Sequence, residues 1–245
     1  MKNNFKEYLQ YLSNWVSVYC KSTHANGVVV GISGGVDSAV AAFIANMQKN
    51  IKVLGVWMNI GNSALDIKCI NDLKKQNAFP IIDVNLMPIF NSIKKTLSLK
   101  NTLSINNLKA RLRAVSLYAL AQEHNLLVLG TSNADELYMG YFTKYGDGAC
   151  DLMPLSKLTK HRIFEAAKIL KLPISIIERA PSASLYENQT DEDEMGVRYN
   201  VIDAFLYSKK IPKLPLSIIQ KYHRLNQHKF TMPAKPKPFE KIKTV

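Results

Sequence analysis

The chain has 245 residues, 47% hydrophobic and 21% charged, which is typical of a globular protein with one sizeable core. No apolar run approaches the roughly 18 residues of a membrane-spanning helix, and the N-terminus lacks the apolar core of a signal peptide. We therefore expect a cytoplasmic protein with no membrane partner. The three cysteines, Cys20, Cys69 and Cys150, are too widely spaced for a CxxC pair, which argues against a disulfide framework or a zinc site.

The formal net charge is +13, and residues 209–243 contribute ten Lys or Arg against a single acid, Glu240. Such a balance fits nucleic acid, a membrane surface or anionic small molecules as partners, whereas a solvated lysine-rich surface explains most of these charges. The segment lacks the interleaved aromatic residues of a stacking platform, so we expect no nucleic acid partner. Recurring prolines at Met232–Pro238 exclude a helix there and predict an extended or mobile basic tail over residues 228–245.

The first predicted element is an amphipathic helix within residues 1–24. Apolar side chains recur there at steps of three and four, which predicts a stripe packed on the body of the protein. Its members are Phe5, Tyr8, Leu9, Leu12, Trp15, Val16 and Tyr19.

Four short β-rich segments then alternate with helical patterns. Strands are predicted at 28–32, 53–58, 80–84 and 126–129, separated by helices at 39–48, 65–76 and 108–124. The strands are apolar on both alternating faces, which indicates a sheet buried on both sides. The alternation predicts a single-domain α/β fold over residues 1–245, an open doubly wound parallel sheet flanked by helices. A long irregular segment follows at 133–154, and further helices are predicted at 162–170, 197–207 and 216–227.

The sequence S-G-G-V-D-S at residues 33–38 joins the first strand to its helix. The two glycines let the backbone turn close to an anion, and the N–H groups that open the helix point at it. Asp37 would repel a phosphate unless a cation lay between them, so it indicates Mg²⁺ bound to a polyphosphate. A structural turn is the alternative, but two serines, two glycines and an acid together favour a phosphate site.

The residues after the fourth strand would meet this turn if that strand lies beside the first. Glu136 would then give Mg²⁺ a second carboxylate, and Thr131 would donate to the nucleotide. The alternative is a capped helix start, with Ser132 or Asn133 as the cap and acids in the first turn. The two interpretations are evenly matched in isolation, and the 33–38 turn favours the metal site.

Two other segments carry unusual charge. Gly146-Asp147-Gly148 forms a predicted tight turn, whose flanking Lys144 and Asp151 can be held near a ligand, with a surface hairpin as the alternative. On the helix at 108–124, residues 109 and 113 share one face and 111 points elsewhere. Two interpretations of this face are evenly matched: Lys109 and Arg113 bind an anion, or they lie on an exposed helix face in solvent.

These motifs occur in the order found in ammonia-dependent NAD synthetases, which the chain resembles from residue 31 to 229. The S-G-G-x-D-S element is shared with the wider ATP pyrophosphatase family, whereas F-T-K-Y-G-D-G at 142–148 and the His-Lys pair at 228–229 are narrower signals. The resemblance implies ATP-binding residues Gly31, Ile32, Ser33, Gly34, Gly35, Val36, Asp37, Ser38, Thr131, Lys160 and Ser182. It implies deamido-NAD-binding residues Arg111, Lys144, Asp151, His228 and Lys229. Mg²⁺ would be held by Asp37 and Glu136, and the catalytic residues would be Asp37, Lys160 and Asp151.

The resemblance implies ATP-dependent amidation of deamido-NAD (nicotinic acid adenine dinucleotide) to NAD. Ammonia would be the nitrogen donor, the dinucleotide would be adenylated, and AMP and pyrophosphate would be released. The resemblance also implies a homodimer with the dinucleotide near the subunit interface. The loop at 58–63 is shorter than in relatives and lacks their Gln and Asp, so we assign no adenine contact there. Glutamine-dependent relatives add an amidase domain for which residues 1–32 leave no room, so we expect free ammonia unless a separate subunit delivers it.

Two other functions fit part of the sequence. A tRNA-modifying pyrophosphatase would explain the basic charge, but thiolating relatives use paired cysteines, and base recognition needs an RNA-binding extension. A nucleotide-sensing module would not need the metal carboxylates. The acidic segment 190–195 is either a solvated loop or a lid that orders over bound ATP.

Overall fold

The computed structural model describes residues 4–61, 63–181 and 191–236, and a four-stranded parallel sheet forms their centre. The strands are β1 (Gly27–Gly31), β2 (Lys52–Asn59), β3 (Ile81–Asn85) and β4 (Leu126–Val128), in the order β3-β2-β1-β4. All neighbouring pairs are parallel. The predicted α/β fold is confirmed, and every predicted strand boundary agrees within one residue.

Helices flank this sheet on both faces. They are α1 (Phe5–Ser22), α2 (Val36–Asn46), α3 (Ala64–Lys75), α4 (Met87–Thr96), α5 (Thr102–His124), α6 (Ala134–Met139), α7 (Lys160–Ile169), α8 (Ile174–Ile177), α9 (Asp191–Met195), α10 (Tyr199–Leu206) and α11 (Lys213–Leu225). The sequence patterns do not predict α4, α8 and α9, and they predict the start of α6 only as the alternative of a capped helix at Ser132 or Asn133. With five residues or fewer, α8 and α9 are too short to show a helical period. In the part of the chain that the structure describes, no helix is long and apolar enough to cross a membrane.

Two core layers sandwich the sheet because successive side chains of a strand point to opposite faces. Val28 and Val30 join the layer that contains α1, α2 and α7, whereas Val29 joins the layer that contains α5. A third cluster connects α6, α10 and α11, and includes Met139, Ile202 and Ile219.

Two expectations about burial are wrong. Tyr19 is 40% exposed, because Cys20 takes the buried position in the last turn of α1. β3 is not buried on both faces: Ile82 and Asp83 are exposed, and Asp83 pairs with Lys74. Among the described residues β3 pairs with β2 alone, so it is an edge strand and its outer side meets solvent.

The strand order brings together two of the segments predicted to bind a ligand. β1 lies between β2 and β4, and Leu129 N donates to Val29 O at 2.9 Å, so the carboxyl ends of β1 and β4 adjoin. The 33–38 turn leaves one of these ends, and the segment leading into α6 leaves the other. Doubly wound sheets bind ligands at such a junction.

Candidate active site

A cavity of about 440 Å³ opens beyond the carboxyl ends of β1 and β4. Its wall is formed by the 33–38 turn, the residues that follow β4, one face of α5, and parts of the segments 140–149 and 179–181. A cavity of a few hundred Å³ suits a small-molecule ligand.

The 33–38 turn has the backbone expected of an anion site. Gly34 has a φ of +82°, in the left-handed region that side chains disfavour. Ser38 Oγ donates to Gly35 O at 3.0 Å, and Gly35 N donates to Ser33 Oγ at 3.1 Å, so both serines stabilise the turn. Gly35 is the N-cap of α2 and supplies no side-chain cap, which leaves the first N–H groups of α2 for a ligand.

Lys160 lies between two carboxylates at one side of this turn. Its Nζ is 2.6 Å from Asp37 Oδ2 and 3.6 Å from Glu136 Oε1, and its side chain is only 3% exposed. Burial disfavours the ammonium, but the two carboxylates outweigh this effect and raise the pKa of Lys160 above its usual value. Burial and the charge of Asp37 raise the pKa of Glu136. The site therefore holds a fixed positive charge close to the 33–38 turn.

The start of α6 places Glu136. Asn133 is the N-cap: its Oδ1 accepts from the N–H groups of Asp135 and Glu136, and Glu136 Oε2 accepts from Asn133 N at 3.1 Å. Asn133 Nδ2 also donates to Asp37 Oδ1 at 2.9 Å. The predicted helix cap is therefore present, and one oxygen of Glu136 caps α6 while the other faces Lys160.

Two buried acids hold the N-terminus of α7, the helix that begins with Lys160. Asp135 Oδ2 accepts from Lys160 N at 2.7 Å, and Asp203 Oδ2 accepts from His161 N at 3.1 Å. Burial and the neighbouring Asp203 raise the pKa of Asp135 to about 9. These acids fix the backbone from which the Lys160 side chain extends.

Tyr199 covers the other side of Lys160. The centroid of its ring lies 4.7 Å from Lys160 Nζ. Its hydroxyl donates to Asp191 Oδ2 at 3.0 Å and lies 3.5 Å from Glu136 Oε1. The acidic helix α9, which contains Asp191, is thereby connected to the carboxylates of the site.

The cavity brings most of the predicted ATP-binding and metal-binding residues together. Its lining includes Gly31, Ile32, Ser33, Gly35, Val36, Asp37, Ser38, Thr131, Glu136 and Lys160. Gly34 belongs to the same turn without lining the cavity, and Ser182 lies outside the described residues.

The two lysines predicted to bind deamido-NAD contact backbone carbonyls. Lys229 lines the cavity, and its Nζ donates to Gly140 O at 2.7 Å and to Phe142 O at 2.8 Å. Lys144 Nζ donates to His228 O at 2.5 Å. The lysines therefore connect the segment around residue 228 to the segment 140–144.

The other predicted dinucleotide residues lie outside the cavity lining. Arg111 is exposed on α5, with Nη2 3.4 Å from Lys144 O, and the His228 ring is exposed. Asp151 is exposed and accepts from Val128 N at 2.7 Å and from the Tyr118 hydroxyl at 3.3 Å.

Sequence reasoning missed or left open several cavity residues. Arg113 lines the cavity, two positions beyond Arg111, and its place on the face of residue 109 was the available signal. Arg179, which lines the cavity, and Tyr199, whose ring lies over Lys160 outside the lining, had no local signal, because long-range packing brings them to the site. Asp191 also lines the cavity, and it belongs to the acidic segment 190–195, for which the sequence left open a solvated loop or a lid.

Comparison with known proteins gives consistent matches. A family model described as NAD synthase matches residues 8–233. The NH(3)-dependent NAD(+) synthetase of Mycoplasmopsis pulmonis is 45% identical over 232 residues, 94% of this chain and 90% of that protein. The structure of the NMN synthetase from Francisella tularensis has a TM-score of 0.90 and 40% identity, and the match covers 95% of this chain and 98% of that one. The NH3-dependent NAD synthetase from Campylobacter jejuni has a TM-score of 0.78 and 26% identity, covering 96% and 99%.

Proposed function

Because this chain belongs to the NAD synthase family, we propose that it is an ammonia-dependent ligase that amidates deamido-NAD to NAD with ATP as co-substrate. The observation that carries the proposal is the arrangement of Asp37, Glu136 and Lys160 beside the anion-binding turn of the cavity. This set is suited to activating a polyphosphate, and no side-chain nucleophile is needed.

The proposed reaction has two steps. A nicotinate carboxylate oxygen attacks the α-phosphorus of ATP, and the bond from that phosphorus to the bridging oxygen breaks, so that pyrophosphate leaves. Ammonia then attacks the activated carbonyl carbon, loses a proton, and displaces AMP by cleavage of the C–O bond. The first step brings two anions together, and charge neutralisation is its main requirement. The buried ammonium of Lys160 and the N–H groups that open α2 meet that requirement.

We propose that Asp37 and Glu136 hold Mg²⁺. An oxygen of each lies within 3.6 Å of the same ammonium, so the two carboxylates can converge on one cation. Mg²⁺ prefers oxygen ligands and is often bound by one or two carboxylates together with substrate phosphates. Across residues 4–61, 63–181 and 191–236 no group of three or more His, Cys, Asp or Glu is arranged to hold a metal, which fits a site that phosphates complete. Bound Mg²⁺ would neutralise the polyphosphate.

A proton acceptor for the amidation step is needed beside the cavity. Asp151 and Asp147 are the two candidates from the sequence. Asp147 lines the cavity and accepts from Thr143 N at 3.0 Å, whereas the Asp151 carboxylate is engaged with Val128 N. We therefore favour Asp147 for this role within one chain.

We propose that the protein forms a homodimer through α5. This helix carries Arg111 and exposes Leu103 and Val115, each 68% accessible, together with Tyr118, which donates to Asp151. A partner on this face would build a dinucleotide site around Arg111 and Asp151, which lie outside the lining of the 440 Å³ cavity. We expect Val115→Glu to sediment as a monomer, with a raised KM for deamido-NAD and an unchanged affinity for ATP. A dimeric Val115→Glu protein would contradict this assignment of the interface.

A second candidate function is amidation of nicotinic acid mononucleotide to NMN. It is considered because the NMN synthetase from Francisella tularensis is 40% identical to this chain, with a TM-score of 0.90. It is also favoured because four of the five predicted dinucleotide residues lie outside the cavity lining.

One assay tests both candidates. The purified protein is incubated with ATP, Mg²⁺, ammonium and either deamido-NAD or nicotinic acid mononucleotide, and products are separated by chromatography. NAD with equimolar AMP and pyrophosphate supports the first candidate, and NMN in place of NAD supports the second. AMP and pyrophosphate with neither product indicates another acyl acceptor, and absence of ATP cleavage overturns both candidates.

A further inference from the structure

A buried ion pair lies against the anion-binding turn, and neither of its members belongs to the motifs described above. Arg179 Nη2 is 2.5 Å from Asp66 Oδ1, and the two side chains are 6% and 1% exposed. Arg179 lines the cavity. Burial of both charges at the wall of an anion site requires an explanation, because such a pair is not in itself a strong source of stability.

Asp66 is held rigidly at the first turn of α3. It forms a capping box with Ser63: Asp66 N donates to Ser63 Oγ at 3.1 Å, and Ser63 N donates to Asp66 Oδ2 at 2.7 Å. One carboxylate oxygen is therefore used in the cap, and the other contacts Arg179. Burial alone would raise the pKa of Asp66, but the Ser63 N–H group and the charge of Arg179 outweigh it and lower that pKa. Asp66 is thus a fixed anion that determines where the guanidinium lies.

The second nitrogen of that guanidinium lies at the glycine turn. A Cβ on Gly34 would lie 3.1 Å from Arg179 Nη1, so the turn and the guanidinium are in close approach. A guanidinium is planar and always charged, and its parallel N–H groups match the oxygens of a phosphate. The guanidinium contacts Asp66 through Nη2, and its Nη1 lies on the side of the turn.

Lys160 and Arg179 reach the turn at different residues. Lys160 contacts Asp37 in the first turn of α2, whereas Arg179 approaches Gly34. A phosphate chain bound along residues 33–38 would therefore meet one cation at each end of the turn. The proposed reaction releases the outer two phosphates of this chain as pyrophosphate.

We propose that Arg179 binds the phosphates of ATP that leave as pyrophosphate, and that Asp66 is its positioning residue. This inference rests on the proposed function for the identity of the leaving group. It adds a charge-stabilising side chain to the site and gives the Asp66 ion pair a functional role.

Binding of pyrophosphate itself is the direct test. Inhibition constants for pyrophosphate and for AMP are measured for the wild type, Arg179→Gln, Arg179→Lys and Asp66→Asn, and pyrophosphate binding with Mg²⁺ is followed by calorimetry. We expect Arg179→Gln to weaken pyrophosphate by about 10- to 100-fold, as for loss of a charge-assisted hydrogen bond, with AMP inhibition unchanged. Arg162→Gln is the matched control, since it removes an arginine from a surface pair with Glu165.

The positioning role of Asp66 has its own signature. Asp66→Asn should weaken pyrophosphate binding less than Arg179→Gln does. The double variant should bind pyrophosphate as tightly as Arg179→Gln alone. Additive losses in the double variant would contradict positioning.

The proposal is overturned if the inhibition constant for pyrophosphate is the same in Arg179→Gln as in the control. It is also overturned if Arg179→Gln loses affinity for pyrophosphate and for AMP to the same extent. If Arg179→Gln does not fold, Arg179→Lys decides: it keeps the charge without the planar fork, and wild-type pyrophosphate binding in it also overturns the proposal. Calorimetry needs no acyl substrate. A wild type that binds pyrophosphate through Arg179 but makes neither NAD nor NMN therefore contradicts the proposed function alone.

Discussion

Replacing Asp37 by Asn removes one of the two negative charges that face Lys160 and keeps the shape of the side chain. In the native protein Lys160 Nζ is 2.6 Å from Asp37 and 3.6 Å from Glu136. The variant leaves the ammonium with the longer contact only. It also removes one of the two carboxylates proposed to hold Mg²⁺.

We expect Asp37→Asn to lower both the turnover and the free energy of unfolding. Loss of a single preorganised electrostatic contact typically lowers turnover by about 10²–10³, and we expect a decrease in this range. Breaking a buried ion pair costs about 3–5 kcal/mol of unfolding free energy, and retention of Glu136 should keep the loss at or below the lower end. A domain of ordinary stability, about 5–15 kcal/mol, stays folded after such a loss.

The assay compares Asp37→Asn with Glu165→Gln, which removes the same charge from an exposed pair with Arg162. Turnover is measured at saturating ATP and acyl substrate, and thermal unfolding is followed with and without MgATP. We expect MgATP to stabilise the control as it does the wild type, and to stabilise Asp37→Asn much less. Turnover of a folded Asp37→Asn protein at the level of the control would refute the assignment of Asp37 to the metal and phosphate site.

Three further predictions concern the groups around the turn. Tyr199→Phe keeps the ring over Lys160 and removes the hydroxyl that bonds Asp191, so it should lower the unfolding free energy by about 1 kcal/mol in urea titrations, with a smaller loss of turnover than Asp37→Asn. Ionised Asp66 stabilises the wild type above its unfolded pKa near 4, and this stability is lost as pH falls through its lower folded pKa. The difference in unfolding free energy between the wild type and Asp66→Asn should therefore be largest at pH 7 and decrease as the pH falls through the folded pKa of Asp66. Urea titrations of both proteins at pH 7 and in acid check this. Finally, calorimetry should show that Mg²⁺ binds much more tightly with a non-hydrolysable ATP analogue than alone, because Lys160 already occupies the two carboxylates; equal affinity would contradict their shared use.

The sheet and the glycine turn at residues 33–38 could be predicted from sequence because their signals are local. The run Val28–Ile32 is apolar without interruption, and β1 is buried along most of its length. The two glycines at 34 and 35 mark a turn whose backbone needs a positive φ, and Gly34 has one. Burial of β3 on both faces was predicted wrongly because local hydrophobicity does not report whether a strand lies at the edge of its sheet.

The remaining parts of the site depend on which face of an element meets the cavity. Arg111 and Arg113 are two positions apart on α5, which places them on nearly opposite faces of a helix of 3.6 residues per turn, and only Arg113 lines the cavity. Periodicity could not choose between them, because α5 has polar and apolar residues all around it. Arg179 reaches Asp66 across 113 positions of sequence, and no local pattern predicts such a pair.

The two cations near the 33–38 turn, Lys160 and Arg179, are positioned in a similar way. Lys160 and Arg179 each face one carboxylate that is fixed by a helix cap: Glu136 caps α6 and faces Lys160, and Asp66 caps α3 and contacts Arg179. Capping removes the rotational freedom of these acids, so the cations are oriented before substrate arrives. Charges that are already oriented need little reorganisation when two anions are brought together, and this reduces the barrier more than mobile lysines on the basic surface could. In the proposed reaction, the net charge of +13 therefore says less about catalysis than Lys160 and Arg179, the two buried cations that the starts of α6 and α3 help to position.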